Sequence, residues 1–600
     1  MSSASEAIPV QQVDPVAPQI TVLDTGGQYT HLIARRVREL GVYADVQPSD
    51  TPLRELRSRK GIIISGGPAS VREADSPDID PEILNAGVPV LGICYGHQLM
   101  ARHLGGAVQK GERGEYGIAH LTLTGEDALW AGVEPSQIWM SHFDTVASVP
   151  AGFQITASTR TCGIAAMSDP VRKLFGLQFH PEVVHTEAGM RILENFVFGI
   201  CGASKDWDLS KRVPLVEEQI RSTVGDRNVF FFVSGGVDST VAYTLCLRAL
   251  GPRRVYGIYV DTGLMRKGET EFVRGVFREL GATHFMVDDA EPEFLAALNG
   301  VYDPEAKRCA IGEQFVRVQE RILASEHFLD GQWILGQGTI YPDTIESGGT
   351  AKADLIKTHH NRVAGIQALI EAGRIIEPLT SFYKDEVREI GRELGVPAQF
   401  LARHPFPGPG LAIRCLCSGK RARVIEDADG FLLPVRSVGV QGDARSYRAV
   451  LSLADRPTPD HVQTTAPALT NRRADINRVV ALCGAKAPLA SMQVVEASID
   501  KQRLDILRDA DAIVREFCLA TDFEAQVWQC PVVLLPIGSE SSPESVVLRP
   551  VNSVDGMTAD VVLMPDAWLD DLTAKLLDLP SVAAVFYDLT HKPPGTIEWE

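Results

Sequence analysis

The stretch VPVLGICYGHQLMARHLGG, residues 88–106, decides the fold of the first third of the chain. Its apolar run from Val88 to Ile93 shows no polar alternation, so it reads as a strand buried on both faces. Cys94-Tyr95-Gly96-His97-Gln98 then opens a segment with helical spacing. Strand, tight turn and helix make the repeating unit of a sheet covered on both sides. Upstream, ITVLD at 20–24 and GIIIS at 61–65 read as further strands of the same sheet. A second stretch, VFFFVSGGVDSTVAYTLCLRAL at 229–250, repeats the pattern, and RVYGIYVD at 254–261 supplies its next strand. The expected fold class is α/β: two doubly wound parallel-sheet domains plus a C-terminal α+β region.

At roughly 100–200 residues per domain, a 600-residue chain holds three or four domains. Residues 1–18 are polar and proline-containing, the composition of a disordered tail. The first α/β domain spans 19–202, and the polar segment GASKDWDLSKR at 202–212 marks a boundary. The second spans 213–412. Residues 413–600 form the C-terminal region, with an insertion at about 420–505. There the pattern P-V-x-S-V starts at Pro434 and again at Pro550. It reads either as chance or as the trace of two copies of one small α+β unit.

Composition excludes several classes. Hydrophobic residues are 45% and charged residues 22%, the balance of an ordinary folded protein. No run of 18 apolar residues marks a membrane span, and the N-terminus lacks the basic start and apolar core of a secretory signal. With 58 basic against 77 acidic residues the net charge is −19, which repels nucleic acid. Ten scattered cysteines without a C-x-x-C pair fit neither a disulfide scaffold nor a zinc ribbon. The expectation is a cytoplasmic protein with small-molecule partners, no nucleic acid and no membrane.

Two chemical centres stand out. Cys94 sits at a strand-to-helix turn, where the helix N-terminus favours a thiolate. Alone it would more often be an inert buried thiol. GLQFHPE at 176–182 ends another apolar run with His180 and Glu182. In an extended segment these two side chains share a face, so Glu182 is placed to orient a ring that takes the proton of Cys94. Gly66-Gly67-Pro68 is placed to aim backbone amides at an oxyanion.

The second centre is Ser234-Gly235-Gly236-Val237-Asp238-Ser239-Thr240, a glycine turn between strand and helix. Its successive amides suit an anion at a helix start. It is neither a Walker A loop nor G-x-G-x-x-G. An aspartate inside an anion loop calls for a cation, making Asp238 the candidate Mg²⁺ ligand. Asp261 lies near the carboxyl end of the next strand, where ligands of open sheets gather.

GGPASV (66–71), GICYGHQLMA (92–101) and FHPE (179–182), in that order, resemble a class I glutamine amidotransferase domain. The resemblance implies that Cys94 attacks the glutamine side-chain amide with His180 and Glu182 as partners. It also implies that Gly67 and Tyr95 supply oxyanion-hole amides, and that Gln98, Ser141, His142 and Asp144 hold the glutamine. SGGVDST (234–240) resembles the signature of ATP pyrophosphatases. ILGQGTIYPDTIES (334–347), KADLIKTHHN (352–361), RHPFPGPGL (403–411) and YDLTHKPPGTIEWE (587–600) extend the likeness. Together they resemble the glutamine-hydrolysing GMP synthase family over nearly the whole chain from about residue 19.

That resemblance implies conversion of xanthosine monophosphate (XMP) to GMP with Mg²⁺-ATP and glutamine. Lys352 and Lys357 then belong to a mobile lid, and Arg308, Asp443, Lys592 and Glu598 match XMP positions. The lid departs from the family pattern: it is shorter, and Ala351 stands where glycine is common before the lysine. The insertion resembles the long family form; a second internal copy there could replace the partner subunit of the short forms, leaving monomer or homodimer open. Two other readings compete. One is another ATP-pyrophosphatase amidation or thiolation, on tRNA or a different acceptor, which the acidic charge, the absent C-x-x-C and the C-terminal motifs oppose. The other is a nucleotide-sensing scaffold, which the completeness of both centres opposes.

Overall fold

The structure is a computed structural model describing residues 17–346, 363–403, 406–441, 444–553 and 558–600. It divides into two compact units. The first takes the chain to Leu215 with two later excursions that begin at Ile340 and Ser381; the second takes the remainder.

In the first unit the strands are β1 (Ile20–Asp24), β2 (Ala44–Pro48), β3 (Gly61–Ile64), β4 (Val90–Ile93), β5 (Ala107–His120), β6 (Thr122–Leu123), β7 (Gln137–Ser148), β8 (Gln154–Ser158), β9 (Ala166–Asp169) and β10 (Leu174–Leu177). Eight form one sheet, ordered β2-β1-β3-β4-β10-β9-β8-β6. The first five are mutually parallel, and β9, β8 and β6 add an antiparallel edge. Alternation of side chains across the pleat explains the continuous apolar runs. Val22, Ile63, Leu91 and Ile93 enter one core, whereas Leu23, Ile62, Ile64 and Val90 enter the other. Both faces are thus covered, as the lack of polar alternation requires. β5 and β7 form a separate antiparallel ribbon.

The second unit opens with β11 (Asn228–Val233), β12 (Val255–Asp261), β13 (His284–Asp289), β14 (Trp333–Gly336) and β15 (Ile375–Ile376). They run all parallel in the order β13-β12-β11-β14-β15. The order reverses between β11 and β14, the switch point beyond which open α/β sheets generally bind their ligands.

The C-terminal region forms a seven-stranded mixed sheet whose topology repeats. Gly430–Gln441 pairs antiparallel with Ala444–Leu453, and helix Ala466–Arg472 leads to Ile476–Ala485, parallel to the second strand. Val532–Leu535 pairs antiparallel with Glu544–Leu548, and helix Asp566–Leu577 leads to Val582–Asp588, again parallel to the second strand. The two third strands pair antiparallel, so these six strands read the same from either end. The P-V-x-S-V echo does not follow this repeat. Pro434 lies within a first strand, whereas Pro550 follows a second one. The last residues fold back into this sheet: Trp599 is fully buried and its Nε1 donates to Asp588 Oδ2 at 2.9 Å. Arg478 and Arg549 approach the same Oδ2 at 2.8 and 2.6 Å, and all three charged side chains are fully buried.

Candidate active site

In the first unit, Cys94 caps helix Tyr95–His103 with φ 52°, ψ −101°, a conformation outside the ordinary regions for a non-glycine residue. Strand and helix force it there. The Cys94 amide donates to Leu177 O at 2.7 Å and the Gly96 amide to Ser65 O at 3.1 Å. A Cβ on Gly92 would lie 2.5 Å from Gly96 O, so the elbow closes only around glycine. Strain stored at a turn that presents a nucleophile is the pattern of reactive elbows.

His180 meets the sulfur from beyond β10. Its Nδ1 lies 2.7 Å from Glu182 Oε1, and Glu182 is almost fully buried. The segment is a bend rather than a strand, yet the i, i+2 pair still converges. Burial works against an imidazolium here, but the charges of Glu182 and Cys94 outweigh it and push the His180 pKa up to about 10. Gly66 completes the approach, since a Cβ there would lie 3.0 Å from His180 Cε1. A cleft of about 770 Å³ opens above, lined by Gly67, Cys94, Tyr95, Gln98, Ser141, His142, Asp144 and His180 among others. Every residue expected at this centre is brought together. Gln98 Nε2 donates to Asp144 O at 2.7 Å, and Cys94 Sγ lies 3.5 Å from Ser141 O.

Sequence reasoning missed several residues here. Gln178 accepts from Gln98 at 3.2 Å and directs its own Nε2 to Cys94 Sγ at 3.8 Å. Arg38 is 4% exposed and sits 4.5–5.1 Å from the ring centroids of Tyr43, Trp207, Tyr341 and Tyr383. It also donates to Ser381 O at 2.7 Å, tying both late excursions into this unit. An arginine in a helical run gives no sign of such an aromatic cage.

In the second unit, the turn 234–236 leads from β11 into helix Val237–Leu250. Gly235 has φ +72°, which orients the turn. Gly236 N donates to Ser234 Oγ at 3.2 Å, and Ser239 Oγ donates to Gly236 O at 3.2 Å. Asp238, Ser239 and Thr240 form the first turn of the helix. Gly338, after β14, packs so closely that a Cβ would lie 2.7 Å from Ser239 N. Loops from β11 and β14 thus meet at the point where strand order reverses. Asp261 accepts from Gly263 N at 3.0 Å and from Thr270 Oγ1 at 2.6 Å, so it shapes the end of β12. The hard oxygens of Asp238 and the two serines fit a magnesium ion chemically.

Near the C-terminus, Arg308 donates to Glu600 O, and the neighbouring Lys307, fully buried, pairs with the Glu600 carboxylate. Burial opposes the Lys307 charge, but Glu600 outweighs it and raises its pKa. Glu598 takes a two-pronged contact from Arg414 at 2.9 and 2.7 Å. Lys592 is fixed by backbone bonds to Ala559 at 2.8 and 3.1 Å. Lys307, Arg414 and Glu600 were not foreseen, because each acts through a partner more than a hundred residues away. Lys352, Lys357 and Asp443 lie outside the described residues.

Comparison with known proteins bears on both centres. Residues 21–200 match the class-I glutamine amidotransferase family, 209–325 the NAD synthase family and 516–599 the GMP synthase C-terminal domain. A probable GMP synthase [glutamine-hydrolyzing] of Leptospira interrogans is 43% identical, covering 97% of this chain and 99% of its own. The chain belongs to the glutamine-hydrolysing GMP synthase family. Relatives from Syntrophomonas wolfei, 41% identical over 97% of this chain and 99% of theirs, and Streptomyces coelicolor, 39% identical over the full length of both, carry the same name. Family members are ligases, and this chain carries the amidotransferase domain of that family. Among the described residues no helix is long and apolar enough to cross a membrane.

Proposed function

We propose that this chain makes GMP from XMP, ATP and glutamine, with the two centres doing separate halves of the reaction. In the first, Cys94 Sγ attacks the side-chain amide carbon of glutamine. The oxyanion faces the amides of Gly67 and Tyr95. Protonated His180, held by Glu182, delivers its proton to the departing ammonia, leaving a glutamyl thioester. Water, losing a proton to His180, then releases glutamate and regenerates the thiolate–imidazolium pair. Gln98, Ser141, His142 and Asp144 hold the glutamine.

In the second, residues 234–240 cradle the ATP phosphates with their backbone amides, and Asp261 shapes the neighbouring wall. The C2 oxygen of XMP attacks the α-phosphorus, and pyrophosphate leaves. Ammonia adds at C2, and AMP departs with the former C2 oxygen. A magnesium ion entering with ATP would be held by Asp238 and would offset the phosphate charge. Lys352 and Lys357 add positive charge from the lid. Arg308, Lys592, Glu598 and Asp443 bind XMP, Glu598 through lone pairs that Arg414 leaves open.

The observation that carries this reading is the presence in one chain of a Cys94–His180–Glu182 cluster and an anion loop at a sheet switch point. The domains are read as 19–202, 213–412 and 413–600. The palindromic strand order of the C-terminal sheet supports a monomer, because one chain supplies both halves of a two-fold pairing. Ten free cysteines fit the reducing cytoplasm. The test is to incubate the purified chain with XMP, Mg-ATP and glutamine, and with each omitted in turn. Equal yields of GMP, AMP and glutamate support the reading; glutamate without GMP overturns its acceptor.

A further inference from the structure

Beside the glutamine cleft, three potential metal ligands converge; Glu115 and Cys162 have no role in the reaction above, and His142 serves there only in holding glutamine. Glu115 and His142 are direct partners in the β5/β7 register, so their side chains share a face. Cys162 reaches them from the turn between β8 and β9. That turn is fixed: the Cys162 amide donates to Thr159 Oγ1 at 2.9 Å, and the Thr159 amide to Cys162 O at 2.8 Å. A Glu115 carboxylate oxygen, a His142 ring nitrogen and Cys162 Sγ lie within 4.8 Å of one another.

The hydrogen bonds at His142 give this proximity a direction. His142 Nδ1 lies 2.9 Å from the carbonyl oxygen of Asp144. A carbonyl only accepts, so Nδ1 carries the ring proton. In the neutral ring Nε2 then presents a lone pair, and it faces Glu115 Oε2 at 3.3 Å. Two acceptors do not attract, and the His142 side chain is only 5% exposed, so bulk water does not screen them. A positive species belongs between them. Metal-binding histidines commonly spend their second N–H on a backbone carbonyl in this way. A proton would satisfy Nε2 and Oε2 and leave the thiol only its 3.9 Å contact with Thr145 Oγ1, whereas a divalent ion uses all three atoms.

We propose that Glu115, His142 and Cys162 form a zinc site with three protein ligands at the wall of the glutamine cleft. Nitrogen, sulfur and carboxylate oxygen together suit zinc, whereas magnesium or calcium would avoid the thiol. On binding, the Cys162 S–H bond breaks, its proton goes to solvent and a zinc–sulfur bond forms; water takes the fourth position. Because His142 lines the cleft that also exposes Cys94, the metal ties that wall to the β8–β9 turn.

The test uses full-length Cys94→Ala protein, because the reactive thiol would itself capture zinc. It is titrated with Zn²⁺ against a competing chelator, and with Co²⁺ while a sulfur-to-cobalt charge-transfer band is followed. The expected result is one tightly held ion per chain and a clear band. Adding Cys162→Ala removes the band and weakens zinc by more than the roughly 10–100-fold that outer-shell changes cost. Glu115→Gln keeps the band but weakens binding, and serves alone if the Cys162 variant does not fold. Absence of the band, or zinc affinity indifferent to both substitutions, would overturn the proposal.

Discussion

His180 Nδ1 sits 2.7 Å from the buried carboxylate of Glu182, and this contact sets the charge of the ring that faces Cys94. Burial alone would favour a neutral ring; Glu182 and Cys94 reverse that and hold the pKa at about 10. The folded-state value thus lies above the ordinary 6.5 or so of histidine. The resulting stability is complete below that ordinary value and is lost as pH rises towards about 10. Glutaminase activity should keep to the same alkaline limit. Glu182→Gln removes the charge, so the alkaline limb moves to lower pH and kcat falls roughly 10²–10⁴-fold. A pH–rate profile of glutamate release checks both, and an unmoved limb counts against the pairing.

Dissection separates the two halves. Cys94→Ala should abolish GMP formation from glutamine but spare formation from added ammonium salt. Asp238→Ala should abolish both while leaving basal glutamate release measurable. Steady-state assays with each nitrogen donor decide this, and glutamine-dependent synthesis by Cys94→Ala would refute the nucleophile assignment.

Gly338 supports the phosphate loop by close approach. A Cβ there would lie 2.7 Å from Ser239 N and 2.8 Å from Ser239 Cα, both backbone atoms that move only with the loop. Gly338→Ala should cost ~1–3 kcal/mol of loop geometry, raising KM for ATP roughly 5- to 150-fold. Glutamate release should be unaffected. ATP-dependence of pyrophosphate release reads the effect.

Asp588 holds two buried arginines, Arg478 and Arg549, together with Trp599. Burial raises its pKa, but Arg549 and Arg478 outweigh burial and leave it below the usual carboxylate value. Its stabilisation is therefore present above that usual value and is lost as pH falls through the lowered one. Asp588→Asn leaves both guanidinium charges short of a partner and should cost ~3–5 kcal/mol. Denaturant unfolding of the full chain measures it, and a change under 1 kcal/mol would show that the arginines find other partners.

The parts of this account legible in sequence are those encoded within a few neighbours. Val88–Ile93 reads as a buried strand because both faces need apolar side chains, and Cys94 follows at a turn that only the flanking glycines allow. His180 and Glu182 are two residues apart, so their meeting follows from local geometry. The loop at 234–240 is likewise local. What stayed hidden depends on register and long-range closure. Glu115 faces His142 only through the β5/β7 pairing. Lys307 finds Glu600 only when the tail folds back. The repeat in the C-terminal sheet lies in strand order and helix placement, which tolerate replacement of nearly every side chain. The pentapeptide that hinted at it sits at non-equivalent places, so the hint and the repeat are unrelated.

The central claim is that ammonia from the Cys94 centre replaces the XMP C2 oxygen after that oxygen has taken an adenylyl group. The most direct measurement is mass spectrometry of one reaction containing XMP with oxygen-18 at C2, Mg-ATP and amide-nitrogen-15 glutamine. The account predicts nitrogen-15 in the GMP amino group and oxygen-18 in the phosphate of AMP. Oxygen-18 absent from AMP, with GMP still formed, would contradict it.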